Sequence, residues 1–437
     1  MRTTVCIFLL LGLLTSYWYY HIPVPEGIAE PFKFRFLSAG SDLMERLITL
    51  QDLFWPDEPN DIKSWRLLTN IMTSGNLKSE ATGSKFRARE TTFDGVNVRL
   101  YEPISASPDK LLPAFIFFHG GGWCLGDIRI YDGLTRKFAD ELGAVVVSVG
   151  YRLSPEFLRP NSFEDSFRAT KWFITQARDY GVDSSRVAIG GDSGGGTLAA
   201  LVANRLLDEK DLPRPKAQLL VYPSIQNLDV KTPSQQKYHH HFGCKGVLPL
   251  TRQARMLSYI FFGKKDYEFE QKFLENNHTS SDMKKSSVYD RLNHSFVPEE
   301  LKDSSFYRGP TGKQFGDDKT WQRIEDIFHD PGVGPFVRKD LRGLPPTFVQ
   351  TCDFDSIRDD GIFYWSALRA AGVDATWRNY ESGFHGIFWL GGGILEFELG
   401  VIMRKHAFDF LRAHIYIINF SNMKIYMHGI LKRCLKM

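Results

Sequence analysis

The sequence predicts an α/β fold with a mostly parallel central sheet flanked by helices and a helical cap. Three observations carry this prediction. Short apolar runs recur, and several end in glycine-rich or acidic turns, as strands buried on both faces do. One run passes through a sharp glycine turn directly into a helix-forming segment, Arg186 to Ala203. A long stretch, about 224–342, is rich in aromatic and charged residues but poor in strand signals, which suits an inserted cap. At 437 residues the chain can bury one large core plus such a lid.

From the N-terminus, Val5 to Tyr20 is apolar or aromatic apart from Thr15 and Ser16, with Arg2 ahead of it. A cleavable signal peptide ends in small residues. Here the run ends in Tyr17-Trp18-Tyr19-Tyr20, and aromatic side chains suit a membrane–water boundary. Residues 1–24 are therefore expected to form an uncleaved signal anchor, the alternative being secretion after cleavage. The positive-inside tendency leaves Arg2 in the cytosol. The expected topology is a single-pass type II protein of the endoplasmic reticulum membrane with a lumenal body.

Residues 25–414 are expected to form that body. Ser41 to Leu53 and Asp61 to Met72 read as apolar-faced helices. Arg87 to Thr92 and Val96 to Tyr101, joined through Asp94-Gly95, read as a hairpin. Ala114 to Phe118, Ala144 to Tyr151, Arg186 to Gly190, Gln218 to Tyr222, Thr347 to Thr351 and Ala375 to Tyr380 read as further strands. Cap elements are expected at about 25–85 and 224–342. Leu395 to Arg412 spaces Phe397, Val401, Phe408 and Leu411 as a closing helix would. Residues 415–437 form a C-terminal tail of unclear structure, read as disordered or variant rather than as a membrane-surface segment.

Two glycine motifs point to chemistry. Gly191-Asp192-Ser193-Gly194-Gly195 is a G-x-S-x-G nucleophile elbow between strand and helix. The sharp turn forces the serine into a rare backbone conformation, so its neighbours must be small. The hydroxyl then meets the unpaired N–H groups of a helix start. His119-Gly120-Gly121-Gly122-Trp123 follows the Ala114–Phe118 strand. Acyl transfer builds an oxyanion, and glycines let backbone N–H groups approach it. The expected donors are Gly121, Gly122 and Gly194, with His119 supporting the loop.

A base should follow late in the chain. His385, in Gly383-Phe-His-Gly386 after a strand-like run, fits. The acid must leave a strand end to reach the imidazole. Asp353, Asp355, Asp359 and Asp360 compete there. Asp359 and Asp360 fall in the first turn of a helix, and the pattern alone leaves Asp353 and Asp355 open. His239-His240-His241 lacks a Cys or carboxylate at ligand spacing, so no metal and no cofactor is expected.

These residues resemble the hormone-sensitive-lipase branch of the α/β-hydrolases, and within it the arylacetamide deacetylase-like proteins. The motifs that carry the resemblance are His119-Gly-Gly-Gly-Trp-Cys124, Tyr151-Arg-Leu-Ser-Pro-Glu156, Gly191-Asp-Ser-Gly-Gly195, Leu344-Pro-Pro-Thr347, Asp355-Ser-Ile-Arg-Asp-Asp-Gly361 and Gly383-Phe-His-Gly386. It covers about residues 1–413. It implies an α/β-hydrolase fold and a serine carboxylic-ester hydrolase, with Ser193 as nucleophile and His385 as base. The family's acid sits in a D-x-L-R-D-x-G pattern, which falls on Asp355 with Ile357 in place of Leu. The sequence departs from the usual Tyr-Arg-Leu-Ala-Pro-Glu and His-Pro-Phe-Pro at Ser154 and at Phe157-Leu158-Arg159-Pro160.

The expected substrate is a small-molecule or lipid ester, met by a protein held to the membrane by its N-terminal anchor. The contrasting reading is a non-catalytic ligand-binding protein on a hydrolase scaffold. Net charge is +3, from 54 Lys+Arg and 51 Asp+Glu, which gives no support to nucleic-acid binding. It says nothing about oligomeric state. Sequons at Asn277, Asn293 and Asn419 agree with a lumenal body. Of the 5 cysteines, Cys6 lies in the anchor and Cys434 in the tail. Cys124 follows the glycine loop and Cys352 precedes Asp355 by three residues. Both loops must converge on Ser193, so a Cys124–Cys352 disulfide is expected, with Cys244 as competitor.

Overall fold

A computed structural model describes residues 18–55, 59–73, 85–104, 110–310, 316–329, 334–390 and 395–416. Most of the anchor (residues 1–17), the tail from 417 and the Asn419 sequon lie outside them.

Eight strands form one sheet: β1 Phe86–Phe93, β2 Val96–Pro103, β3 Leu112–Phe118, β4 Val145–Gly150, β5 Val182–Asp192, β6 Gln218–Val221, β7 Thr347–Phe354 and β8 Ala375–Phe384. Their order across the sheet is β1-β2-β4-β3-β5-β6-β7-β8. β1 and β2 form the expected antiparallel hairpin. Its turn residues Asp94 and Gly95 have φ of 47° and 78°, which matches the twist of the strands. β2 is antiparallel to β4, and every later pairing is parallel.

The central strands are apolar because helices cover both faces. The helices are α1 Pro31–Phe54, α2 Asn60–Thr73, α3 Asp132–Leu142, α4 Asn161–Thr175, α5 Gly194–Leu206, α6 Pro233–Phe242, α7 Leu250–Phe262, α8 Tyr267–Leu274, α9 Ser281–Lys284, α10 Ser287–Asp290, α11 Asp318–Gln322, α12 Glu325–His329, α13 Arg358–Ala370 and α14 Glu398–Ile415. One core lies between the sheet and α4, α5 and α13, continuing into α7 and α8. A second lies between the opposite face and α3 and α14, with Phe34 of α1 and Tyr238 and Phe242 of α6. Helices α6 to α12 occupy the 224–342 stretch and follow β6, and the described residues there add no strand.

Strand order positions the chemistry. β3 and β5 are neighbours, and Phe118 is the register partner of Gly191. The glycine loop therefore leaves the sheet beside the elbow. β7 and β8 are neighbours too, and Phe354 pairs with Phe384. The next residues, Asp355 and His385, leave the sheet side by side, at the carboxyl ends of parallel strands where α/β folds hold ligands.

Candidate active site

Ser193 sits between β5 and α5 with φ 53° and ψ −125°. That strain persists because the surroundings leave no room for relaxation. A Cβ on Gly191 would overlap the backbone of Gly195 and Phe118, and one on Gly195 would overlap Phe118 and His119. Both flanks of the serine must therefore be glycine. Gly194 opens α5, so its N–H has no intrahelical acceptor.

The structure brings Ser193, His385 and Asp355 together. His385 Nε2 lies 2.9 Å from Ser193 Oγ. His385 Nδ1 lies 2.8 Å from Asp355 Oδ2. Asp355 Oδ1 also accepts the Ile357 N–H at 3.0 Å, which fixes the carboxylate plane. Asp355 is 1 % exposed and His385 8 %. The ring of Tyr222 packs on the imidazole at 4.7 Å between centroids.

The other three aspartates are occupied elsewhere. Asp353 Oδ1 accepts from Arg358 Nη1 at 2.7 Å, and Oδ2 from Lys237 Nζ at 2.5 Å. Asp359 accepts from Arg358 at 2.9 Å and from the Ser234 N–H at 2.6 Å. Asp360 accepts from the backbone N–H and the side chain of Gln226 at 3.1 and 2.9 Å. Burial pushes the Asp360 carboxyl well above the usual carboxylate range.

Gly121 and Gly122 line the same cavity as Ser193. Their φ values of 113° and 56° lie in the left-handed half of the map that glycine tolerates. The loop is held by two partners that the motifs alone did not reveal. Asp192 accepts the Gly120 N–H at 2.9 Å and the Tyr131 hydroxyl at 3.0 Å. Burial raises the Asp192 carboxyl to about 6, although those hydrogen bonds favour its charge. Tyr151 donates to His119 O at 2.7 Å and stacks on the His119 ring at 4.2 Å. His119 Nδ1 donates to Gly120 O at 2.8 Å. Burial lowers its pKa to about 4, so His119 stays neutral and supports the loop. The signal for Asp192 was its place inside the elbow motif, but its role needs the Phe118–Gly191 register.

The Tyr151–Glu156 motif joins this loop to α2. Arg66 of α2 donates to Cys124 O and Ser154 O, each at 2.9 Å. It also forks onto Glu156 at 2.6 and 2.9 Å. The departure at Ser154 adds a bond, since its hydroxyl donates to Phe157 O at 2.9 Å. Arg159 of the divergent segment lies over the Trp123 ring at 4.9 Å.

A cavity of about 210 Å³ opens over Ser193. Trp65, Met256, Leu257, Ile260, Ile357 and Trp389 give it apolar walls. Trp65 comes from α2, and Met256, Leu257 and Ile260 come from α7, so these two helices close a site that the sheet opens.

The disulfide expectation is corrected. Cys124 and Cys352 are both buried free thiols. β5 and β6 separate β3 from β7. Three strand spacings amount to about 14 Å, beyond the roughly 7 Å Cα limit of a disulfide. The side chains also face opposite cores: Cys124 Sγ is 3.9 Å from Met256 O, and Cys352 Sγ 3.9 Å from Met403 Sδ. Cys244 is exposed in the cap segment. Of the two described sequons, Asn293 is exposed. Asn277 is half-buried with Oδ1 enclosed, and its Thr279 is fully buried. Among the described residues no helix is long and apolar enough to cross a membrane.

Comparison with known proteins agrees with this architecture. The alpha/beta hydrolase fold family matches residues 115–278 and 292–389. The chain is 34 % identical over 418 residues to arylacetamide deacetylase of Oryctolagus cuniculus, covering 94 % of this chain and 99 % of that one. It is 33 % identical over 429 residues to neutral cholesterol ester hydrolase 1 of Rattus norvegicus, covering 95 % and 100 %. A thermostable esterase from Pseudomonas putida superposes with a TM-score of 0.54 at 25 % identity, covering 82 % and 91 %. A hyperthermophilic esterase from Pyrobaculum calidifontis shares the fold, with a TM-score of 0.57 at 24 % identity over 80 % and 93 %. The chain belongs to the alpha/beta hydrolase family, as an arylacetamide deacetylase-like member of its hormone-sensitive-lipase branch, and is a serine carboxylic-ester hydrolase.

Proposed function

We propose that the protein cleaves apolar carboxylic esters through an acyl-enzyme on Ser193. The observation that carries this reading is the unbroken line from Ser193 Oγ through His385 to Asp355, with contacts of 2.9 and 2.8 Å. Ser193 Oγ attacks the ester carbonyl carbon while its proton passes to His385 Nε2. The carbonyl oxygen becomes an oxyanion facing the N–H groups of Gly121, Gly122 and Gly194. The ester C–O bond then breaks, and the alcohol leaves with the proton from His385. Water repeats the sequence on the acyl-enzyme, giving the carboxylate and restoring Ser193. Asp355 holds the imidazole with Nε2 free to accept and offsets its charge when protonated.

The apolar cavity favours an ester with an aryl or lipid group; the names of the two relatives point to an arylacetamide and a cholesterol ester as their own substrates. We read segments 25–85 and 224–342 as its cap. The Arg2–Tyr20 pattern supports a membrane-anchored protein with a lumenal body, and exposed Asn293 is a better glycan acceptor than Asn277. The test is hydrolysis of a soluble short-chain ester by wild type and Ser193→Ala. The variant should lose about 10⁴-fold or more in kcat with its fold intact, because triad members act as a unit. Full turnover by the variant would overturn the reading.

A further inference from the structure

Helix α1 carries an apolar face with no partner among the described residues. Its inner side buries Phe34, Ser38, Ser41 and Ile48. Its outer side presents Phe32, Phe36, Leu43, Leu47, Leu50 and Phe54, each between 47 % and 85 % exposed. At 100° per residue these six fall within about 60° of one another, so they form one straight stripe. The helix has 24 residues and the stripe spans nearly all of it, about 34 Å at 1.5 Å per residue. Trp55, the next residue, extends the apolar surface beyond its end, at 59 % exposure. Scattered exposed apolar residues need no explanation, but a continuous patch marks an interaction surface.

The path of the chain says what covers it. The N-terminal apolar run ends directly against α1. Trp18 Nε1 donates to Asp42 at 2.7 Å, and Arg35 lies over the rings of Tyr19 and Tyr20 at 5.8 and 5.7 Å. The described residues thus begin at Trp18, beside the stripe, and the sequence ahead of them is apolar from Val5 onward. Aromatic residues lie along this face, Tyr20, Phe32 and Phe36 near one end and Phe54 and Trp55 at the other, and such side chains suit a membrane–water interface. A helix with one polar and one apolar face lies flat in such an interface.

The inner side of α1 reaches the catalytic cavity. Arg252, which lines that cavity, donates to Ser41 Oγ at 3.0 Å and to Glu45 at 2.7 Å, and stacks on Trp65 at 4.3 Å. One arginine therefore separates the apolar helix from the cavity wall. We propose that the outer face of α1 lies in the interface of a lipid bilayer, and that the cavity takes its ester substrate from that surface. The second half of this proposal rests on the ester-hydrolase reading above; the first half does not.

The test uses the full chain reconstituted with phosphatidylcholine vesicles. In a Cys6→Ser/Cys244→Ser/Cys434→Ser background, Leu43→Cys, Leu47→Cys and Leu50→Cys each carry a bimane label, with Thr49→Cys as the control on another exposed face of α1. Brominated phosphatidylcholine should quench the three stripe labels several-fold more than the Thr49 label. A Leu47→Asp/Leu50→Asp variant should lose at least tenfold in turnover of a vesicle-borne long-chain ester, and keep its turnover of a soluble short-chain ester. Equal quenching at all four positions, or none at the stripe, would overturn the docking face. Absent quenching of the labels, together with oxidant-driven disulfide formation between copies through the unlabelled stripe cysteines, would assign the face to a second copy of the chain. Quenching at the stripe with equal loss on both esters would overturn substrate delivery. Wild type that hydrolyses neither ester would overturn the catalytic reading, while the labels still report docking.

Discussion

Arg358 Nη1 lies 2.7 Å from Asp353 Oδ1, and this buried ion pair separates the two aspartates that flank Phe354. Strand alternation sends Asp353 and Asp355 to the same side of β7 in a regular strand, but the strand ends at Phe354. Asp353 is held between Arg358 and Lys237, whereas Asp355 turns to His385.

Asp355→Asn should therefore lower kcat by about 10³–10⁴, since an amide favours the wrong imidazole tautomer. Asp353→Asn should keep kcat within about tenfold and instead cost roughly 1–3 kcal/mol of stability, because Arg358 loses a charged partner while buried. Kinetics on a soluble ester and urea unfolding of both variants check this. The reverse ranking of kcat would move the acid to Asp353.

Asp192 gives the fold a pH dependence of known sign. Its folded pKa of about 6 stands above the ordinary 3.8. The folded state holds a proton between about pH 4 and 6 that the unfolded chain has released. This group's contribution to stability is full below about pH 4 and is lost as pH rises through 6. Wild type should therefore lose up to about 3 kcal/mol relative to Asp192→Asn between pH 4 and 7. Urea unfolding of both proteins across that range measures the difference. A difference that stays constant with pH would show that Asp192 is charged throughout.

Cys124 and Cys352 should behave as inert thiols. Burial raises both, so little thiolate forms at neutral pH. Alkylation of the native protein should modify Cys244 and spare these two until the chain is denatured. Mild reduction should leave activity unchanged. A Cys124–Cys352 peptide in a non-reducing digest would contradict the sheet order described above.

The central strands were legible because each is an apolar run bounded by turn residues, and both glycine motifs fell at strand ends as expected. Ser193 and His385 could be picked from their local patterns. The choice between Asp353 and Asp355 could not be made from local pattern, because Lys237, which holds Asp353, is 116 residues away in sequence. The disulfide was misread for a related reason. Strand ends converging on one site do not reveal that two strands stand between β3 and β7. The stripe on α1 escaped notice because a one-sided apolar pattern reads as a buried face, and only the fold shows that the same helix also buries Phe34 and Ile48 on its other side. Among helices α6 to α12 all but α7 have 10 residues or fewer, too few for a sustained period, so the sequence marked their region but not their bounds.

The central claim is that Ser193 is the nucleophile. Treatment of the folded protein with a fluorophosphonate, followed by peptide mapping, tests it most directly. The account predicts a single adduct on Ser193, formed quickly in wild type, much more slowly in Asp355→Asn, and not at all in Ser193→Ala. An unlabelled Ser193, or an equal adduct in the Ser193→Ala protein, would contradict it.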